Sequence, residues 1–132
     1  MILSFFSWRY AKDNSKVTYF NWADGGPNNN GGQHCVTIGF FQNEKWDDDG
    51  CSKEHAFVCE TRQCPVGWVF ISGKCYKAVT QKASWYDAKD KCLEMEGILA
   101  EPKNSIENTA VASLIKETTF WIGLNDQKSE AT

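Results

Sequence analysis

Phe-Trp-Ile-Gly-Leu, residues 120–124, is the stretch of this chain that decides its fold. Four of its five side chains are large and apolar, a composition typical of a buried strand. A helix is predicted before it, from Asn104 or Ser105 to about Thr118, because apolar residues recur there at helical spacing. The apolar stripe of that helix consists of Ile106, Ala110, Val111, Leu114 and Ile115. We expect this stripe to face the core.

Another helix is predicted upstream, between Ser84 and Gly97. Ser84 and Asp87 have the spacing of a capping box, and Gly97 is a natural stop. Between them Trp85, Ala88, Cys92 and Met95 recur at helical spacing, which predicts one buried face. Before this helix, the runs 68–71 and 74–77 flank Ser72-Gly73, which predicts a β-hairpin.

The first part of the chain reads as strands separated by loops. The predicted strands are Ile2–Trp8, Val17–Trp22, Cys35–Phe41 and Ala56–Glu60. A turn is predicted at Ala11–Lys16, and Gly, Pro and Asn make residues 23–33 a loop. Residues 47–50, Asp-Asp-Asp-Gly, are predicted as a further loop. Strands followed by helices and a last strand indicate an α+β fold.

Composition excludes several functional classes. A chain of 132 residues can bury one core, and a net charge of -3 gives no electrostatic footprint for nucleic acid. No apolar run reaches the roughly 20 residues of a membrane span. Residues 1–6 are apolar but too short for a signal-peptide core, and we interpret them as strand. Neither nucleic-acid binding nor membrane insertion by this chain is expected.

Six cysteines indicate a disulfide-bonded protein. Their number is even, and their spacing matches no paired zinc motif. Disulfides imply an oxidising compartment, so the expected location is secreted or the extracellular part of a membrane receptor. Spacing alone does not choose among the possible pairings.

The two halves of the chain resemble the two halves of a C-type lectin-like domain, in swapped order. Residues 64–132 contain Cys-Pro-Val-Gly-Trp, a hairpin, two helices and Trp-Ile-Gly-Leu, and they resemble the amino-terminal half. Residues 1–60 contain Phe-Asn-Trp, a Gly-Pro-Asn loop, Trp-Asp-Asp and Phe-Val-Cys-Glu, and they resemble the carboxy-terminal half. Residues 61–63 would bridge them. The expected fold has two helices packed on small antiparallel sheets, with a long ligand loop.

Residues 1–132 are therefore predicted to form a single domain with permuted connectivity. Permutation is tolerated where chain ends lie close together. Two origins remain open. One is a circular permutant. The other is a piece of a tandem array, in which the halves belong to successive domains and could swap between chains to give a domain-swapped or homo-oligomeric protein.

The resemblance also implies three disulfides. They are Cys64–Cys75, Cys59–Cys92 and Cys35–Cys51. This pairing uses every cysteine once.

A calcium-dependent sugar site is what the resemblance implies for the long loop. Calcium takes six to eight oxygen ligands, and the same oxygens bond sugar hydroxyls in this family. The matching positions here are Asn28, Gln33, Asp47 and Asp48, as ligands both of calcium and of sugar. Gly26 stands where the family has an acidic or amide side chain. Fewer carboxylates generally mean weaker calcium binding.

A further calcium position of the family would use Asp126 and Glu130. Asn29 and His34 stand where additional acidic ligands often lie. The alternative is purely structural, since Asn-rich loops often satisfy their own backbone and Asp47–Asp49 can form a solvated turn.

The predicted function is recognition of a ligand, with weak or altered calcium-dependent carbohydrate binding. Catalysis is not expected, since the only histidines are His34 and His55 and no Ser-centred nucleophile motif occurs. The alternative is a calcium-independent lectin-like module that binds a protein or serves as a spacer in a tandem receptor. Trp8, Tyr10 and Tyr19 are its candidate interface anchors, although each is also typical of a core position.

Overall fold

The computed structural model describes residues 7–27, 34–39, 44–115 and 118–126. Its strands are β1 (Arg9–Tyr10), β2 (Cys35–Gly39), β3 (Trp46–Asp49), β4 (His55–Thr61), β5 (Val69–Ile71), β6 (Lys74–Ala83), β7 (Ile98–Leu99) and β8 (Thr119–Asn125). Its helices are α1 (Trp85–Glu94) and α2 (Ser105–Ala112). The predicted α+β class is confirmed.

The strands form one sheet in the order β3-β2-β8-β4-β6-β5, with β1 paired to β8 and β7 paired to β4. Strands β4 and β8 run parallel, whereas the other pairs are antiparallel. The sheet is therefore mixed and continuous, which differs from the small antiparallel sheets that we expected. A parallel neighbour is possible because β4 and β8 come from different halves of the chain.

The two halves of the chain interleave within this sheet. Strand β8, from the second half, lies between β2 and β4 of the first half. Strand β4 also pairs with β6 and β7 of the second half. Each half therefore supplies the hydrogen-bonding partners of the other.

One helix covers each face of the sheet. On the α2 face, Val111 and Ile115 pack with Val36, Ile38 and the ring of Trp46. On the α1 face, Trp85 and Cys92 pack with other side chains of the sheet. Those side chains are Phe57, Cys59, Leu99 and Trp121. The predicted apolar stripes of both helices therefore do face the core, apart from Ile106, which is exposed.

Three disulfides close the structure, and they are the pairs that the resemblance implies. Cys35 is bonded to Cys51, Cys59 to Cys92, and Cys64 to Cys75. Cys59 lies on β4 and Cys92 on α1. This bond therefore joins the first half of the chain to the second.

One strand prediction and one loop prediction are wrong in the first half. Residues 17–22 are not a strand, because their backbone bonds go singly to separate segments, such as Val17 to Trp8 and Trp46 to Asn21. Conversely, Asp47–Asp49 belongs to β3 and not to a loop. Pairing with β2 overrides the low strand propensity of aspartate.

The predictions for the other elements hold with changed bounds. Strand β2 ends at Gly39, and Phe40 and Phe41 lie outside the described residues. Most of the predicted strand Ile2–Trp8 also lies outside them. Helix α2 ends at Ala112 and not near Thr118. Helix α1 begins as predicted, with the Ser84 side chain accepting a hydrogen bond from the Asp87 amide at 3.1 Å.

Gly97 does not provide the left-handed residue that ends α1. Glu96 does so, with φ 66°. The amides of Glu96 and Gly97 donate to the carbonyls of Leu93 and Cys92, which closes the helix end. A Cβ on Gly97 would lie 2.6 Å from the Glu60 carbonyl oxygen, so this glycine permits close approach of the chain to β4.

A buried ionic cluster lies where the halves meet. The Lys74 ammonium is 3.1 Å from the carboxylates of both Glu60 and Glu107. Glu60 also accepts a hydrogen bond from the Glu101 amide at 2.8 Å. Burial raises the pKa of Glu101 to about 7. The positive charge of Lys74 thus offsets the negative charges of Glu60 and Glu107 inside the fold.

Candidate functional site

Asp48 is a buried carboxylate at one end of the sheet. It lies on β3 directly opposite Val36 of β2, and it is 1% exposed. Opposed residues in an antiparallel pair share a face, so Asp48 lies on the α2 face with Trp46. A carboxylate in such a position needs charge or hydrogen-bond compensation.

Asp47 lies on the other face of the same strand, because successive strand residues alternate. It is half-buried, and its Oδ1 accepts a hydrogen bond from the Asp48 amide at 2.9 Å. Strand β3 is the outermost strand on this side of the sheet path. The two predicted ligands therefore flank an outer strand and do not project side by side from a loop.

Trp46 holds this strand in place. Its indole Nε1 donates to Asn108 Oδ1 of α2 at 2.7 Å, and both residues are buried. The Trp22 ring packs edge-on against it, with 5.8 Å between ring centroids. Sequence reasoning missed Asn108, although its spacing from Val111 and Ile115 places it on the buried stripe of α2. By holding Trp46, Asn108 indirectly positions Asp47 and Asp48, which follow Trp46 on β3.

The start of the long loop lies against β3. The Ala23 amide donates to the Trp46 carbonyl at 2.8 Å. A Cβ built on Gly26 would be 3.9 Å from the same carbonyl oxygen. The peptide bond between Gly26 and Pro27 is cis. Asn28 follows directly in sequence, but it lies outside the described residues.

Asp126 lies at the same end of the sheet, on the opposite side of β2. Its amide donates to the His34 carbonyl at 2.7 Å, and its carboxylate is 3.7 Å from His34 Nδ1. Asp126 is 3% exposed and directly follows the end of β8 at Asn125. Two buried carboxylates, Asp48 and Asp126, therefore flank β2 at this end.

The other predicted ligands, Asn28, Gln33 and Glu130, lie outside the described residues. Within the described ranges, no three His, Cys, Asp or Glu side chains form a group that would hold a metal ion. The structure thus brings Asp47, Asp48 and Asp126 to one end of the sheet without making a complete cage from them. Their oxygen atoms are of the type that calcium prefers.

Asp49 has a different role from its two neighbours. Its carboxylate contacts His55 Nε2 at 2.8 Å and Lys53 Nζ at 3.1 Å. Burial acts to raise the pKa of Asp49, but hydrogen bonds from His55, Gly50 and Lys53 outweigh it and lower the pKa. Asp49 is therefore committed to a local ionic cluster.

Two of the proposed aromatic anchors are core residues, and the third is partly buried against the core. Trp8 and Tyr10 are buried, and Tyr19 packs edge-on against Trp46. Phe20 was missed, although it is 44% exposed and stacks on Trp22. The sequence Phe-Asn-Trp at residues 20–22 carries the resemblance to the family and does not by itself predict an exposed anchor.

Comparison with known proteins shows the family. The model of the lectin C-type domain matches residues 3–61 and 81–132. This is more than half of the chain, so the protein belongs to the C-type lectin domain family and is a recognition module of the lectin type. In the described ranges, no helix has the length and apolar character needed to cross a membrane.

Individual relatives are receptors and lectins by name. C-type mannose receptor 2 of Mus musculus is 28% identical over 141 residues, covering 92% of this chain and 10% of that protein. Lactose-binding lectin l-2 of Anguilla japonica is 39% identical over 70 residues, covering 52% of this chain and 42% of that lectin. The chain spans about a tenth of the mannose receptor. No solved structure matches it significantly.

Proposed function

We propose that this protein is an extracellular recognition module that binds carbohydrate weakly and with the help of calcium. The observation that carries the proposal is the pair of buried carboxylates, Asp48 and Asp126, on either side of β2. Carboxylate oxygens are ligands that calcium prefers in proteins. Lectin relatives that include a mannose receptor and a lactose-binding lectin support the same ligand class.

The proposed calcium ligands of the main site are Asn28, Gln33, Asp47 and Asp48, and Asp126 with Glu130 would form a further position. Asn28 directly follows Pro27, and Gln33 directly precedes His34, so described residues border the site on both sides. Bound calcium would supply a positive charge that draws in two sugar hydroxyls. Amide and carboxylate oxygens of the same residues would accept hydrogen bonds from those hydroxyls.

A chromatographic experiment tests this proposal. Wild-type protein should be retained on immobilised mannose or galactose in calcium and released by a chelator. About 10 mM calcium is needed because Asp47 and Asp48 supply only part of a full ligand set. Gly26→Glu should lower the calcium concentration needed for half-maximal retention by about tenfold, since it adds a third carboxylate.

Gly26 can accept a side chain. Its Cβ would be 3.4 Å from the Ala23 carbonyl oxygen and 3.8 Å from the Trp22 ring, and its φ is outside the left-handed region. Gly26→Leu is the matched control, because leucine fills similar space without an oxygen ligand. Retention that ignores calcium in both wild type and Gly26→Glu would contradict the proposal.

A second candidate function is calcium-independent binding of a protein. Phe20 favours it, because an exposed aromatic side chain beside Trp22 is a suitable interface anchor. In that case Phe20→Ser would abolish ligand binding whether or not calcium is present. If the protein is only a spacer, neither Phe20→Ser nor Gly26→Glu would change ligand binding.

The order of the two halves also has a proposed explanation. One alignment with the mannose receptor covers 92% of this chain, so that longer relative carries the halves in the same order. The family model matches each half separately. Both findings support the interpretation that this chain spans parts of two successive lectin domains. Its two halves then complete each other to form a single domain.

A further inference from the structure

A groove lies between α1 and β7. Its central cavity of about 280 Å³ is lined by Ala11, Lys12, Lys89, Leu93, Ile98 and Leu99. A neighbouring cavity of about 380 Å³ shares Lys12, Leu93 and Ile98 with it and extends to Arg62 and Glu96. Because they share a wall, we treat the two cavities as one feature, the α1–β7 groove.

The floor of the α1–β7 groove is apolar. Leu93 is 54% exposed, although it lies on α1 beside the buried Cys92. Ile98 is half-buried, and Leu99 closes the bottom of the central cavity. An exposed leucine next to a concave apolar surface leaves area that a ligand can remove from water.

The rim of the α1–β7 groove is cationic. Lys12, Lys89 and Arg62 line it, whereas Glu96 is the acid at its mouth. Glu60 also lines the larger cavity, but its carboxylate is paired with Lys74 at 3.1 Å. The carbonyls of Cys92 and Leu93 are occupied by the amides that close α1. This positive excess contrasts with the chain's net charge of -3.

We propose that the α1–β7 groove binds an acidic peptide through one apolar side chain. The apolar side chain would lie over Leu93 and Ile98, and flanking carboxylates would contact Lys12, Lys89 and Arg62. Charge complementarity favours this occupant. Insertion into a lipid surface would require a protruding apolar wedge, whereas Leu93 borders a concave surface. This inference does not depend on calcium or on sugar binding.

Fluorescence polarisation tests the proposal directly. The probe is a fluorescein-labelled peptide, Glu-Asp-Glu-Leu-Phe-Glu-Asp-Glu, titrated with the oxidised 132-residue chain in a chelator at low salt. We expect saturable binding that weakens when salt is raised to about 0.5 M. Leu93→Ser should weaken binding about tenfold. Lys12→Gln with Lys89→Gln should weaken it about fivefold.

Matched variants and probes serve as controls. Ile106→Ser removes another exposed apolar side chain, on α2, and should bind the peptide as wild type does. Lys16→Gln with Lys82→Gln removes two exposed charges outside the groove. A probe with Ser-Ser in place of Leu-Phe should bind at least tenfold more weakly.

Three results would overturn the proposal. One is the absence of saturable binding up to about 1 mM peptide, which is the weak limit of a specific site. Another is equal affinity of Leu93→Ser and Ile106→Ser. The last is binding of phosphatidylserine vesicles that is lost in the groove variants while the peptide fails to bind, which would make the groove a lipid contact.

Discussion

Replacing Cys59 and Cys92 together by alanine should lower the free energy of unfolding by about 4 kcal/mol. The bond closes a loop with a sequence separation of 33, and the chain-entropy relation gives a cost of that size. It also ties β4 to α1, and so the first half of the chain to the second. Urea denaturation followed by tryptophan fluorescence measures the loss.

The matched control is removal of Cys64 and Cys75, whose separation is 11 and whose loop lies within the second half. That change should cost about 3 kcal/mol. A tryptic cut after Arg62 gives a qualitative check. The nicked chain should run as one band without reductant and as two bands with it, because Cys59–Cys92 alone links the halves among the six described cysteines. Separation without reductant would contradict the Cys59–Cys92 bond between the halves.

Asp48→Ala should abolish any calcium-dependent ligand binding. The change removes the most buried of the proposed carboxylate ligands, at 1% exposure, and leaves Asp47 as the one carboxylate among the ligands proposed for the main site. A calcium site that has lost one of two carboxylates is expected to weaken by at least tenfold, beyond millimolar calcium. Retention on immobilised sugar and melting with and without calcium measure the loss.

Two further variants separate loss of the ligand from loss of the fold. Asp48→Asn keeps the size of the side chain and one acceptor oxygen but not its charge, so it should fold and still lose the calcium response. Asp90→Ala removes an exposed carboxylate of α1 and should behave as wild type. Unchanged calcium-dependent binding in both Asp48 variants would contradict the assignment of Asp48 as a calcium ligand.

Much of the fold could be predicted from local patterns in the sequence. Trp-Ile-Gly-Leu identifies β8, and its glycine has a packing reason that appears only in three dimensions. A Cβ on Gly123 would lie 2.7 Å from the Leu99 carbonyl oxygen, so the residue permits β7 to approach β8 closely. Ser84 and the Ser72-Gly73 turn act through neighbouring residues, which explains why their elements were predicted correctly.

The site was less predictable because its geometry depends on long-range pairing. Asp47–Asp49 has the composition of a loop, and only pairing with β2 makes it a strand. Asn108 holds Trp46 across 62 positions of sequence, and no local pattern connects them. The interleaving of β8 between β2 and β4 is likewise a property of the whole chain.

The melting temperature of the wild-type chain in calcium and in chelator tests the central claim most directly. Ionic strength should be matched, with magnesium as the divalent control. A ligand at about ten times its dissociation constant stabilises the native state by about 1.4 kcal/mol. For a chain of 132 residues this raises the melting temperature by about 5 °C. The account predicts that rise with millimolar calcium and not with magnesium. An identical melting temperature in calcium and in chelator would contradict the calcium site that Asp48 and Asp126 are proposed to support.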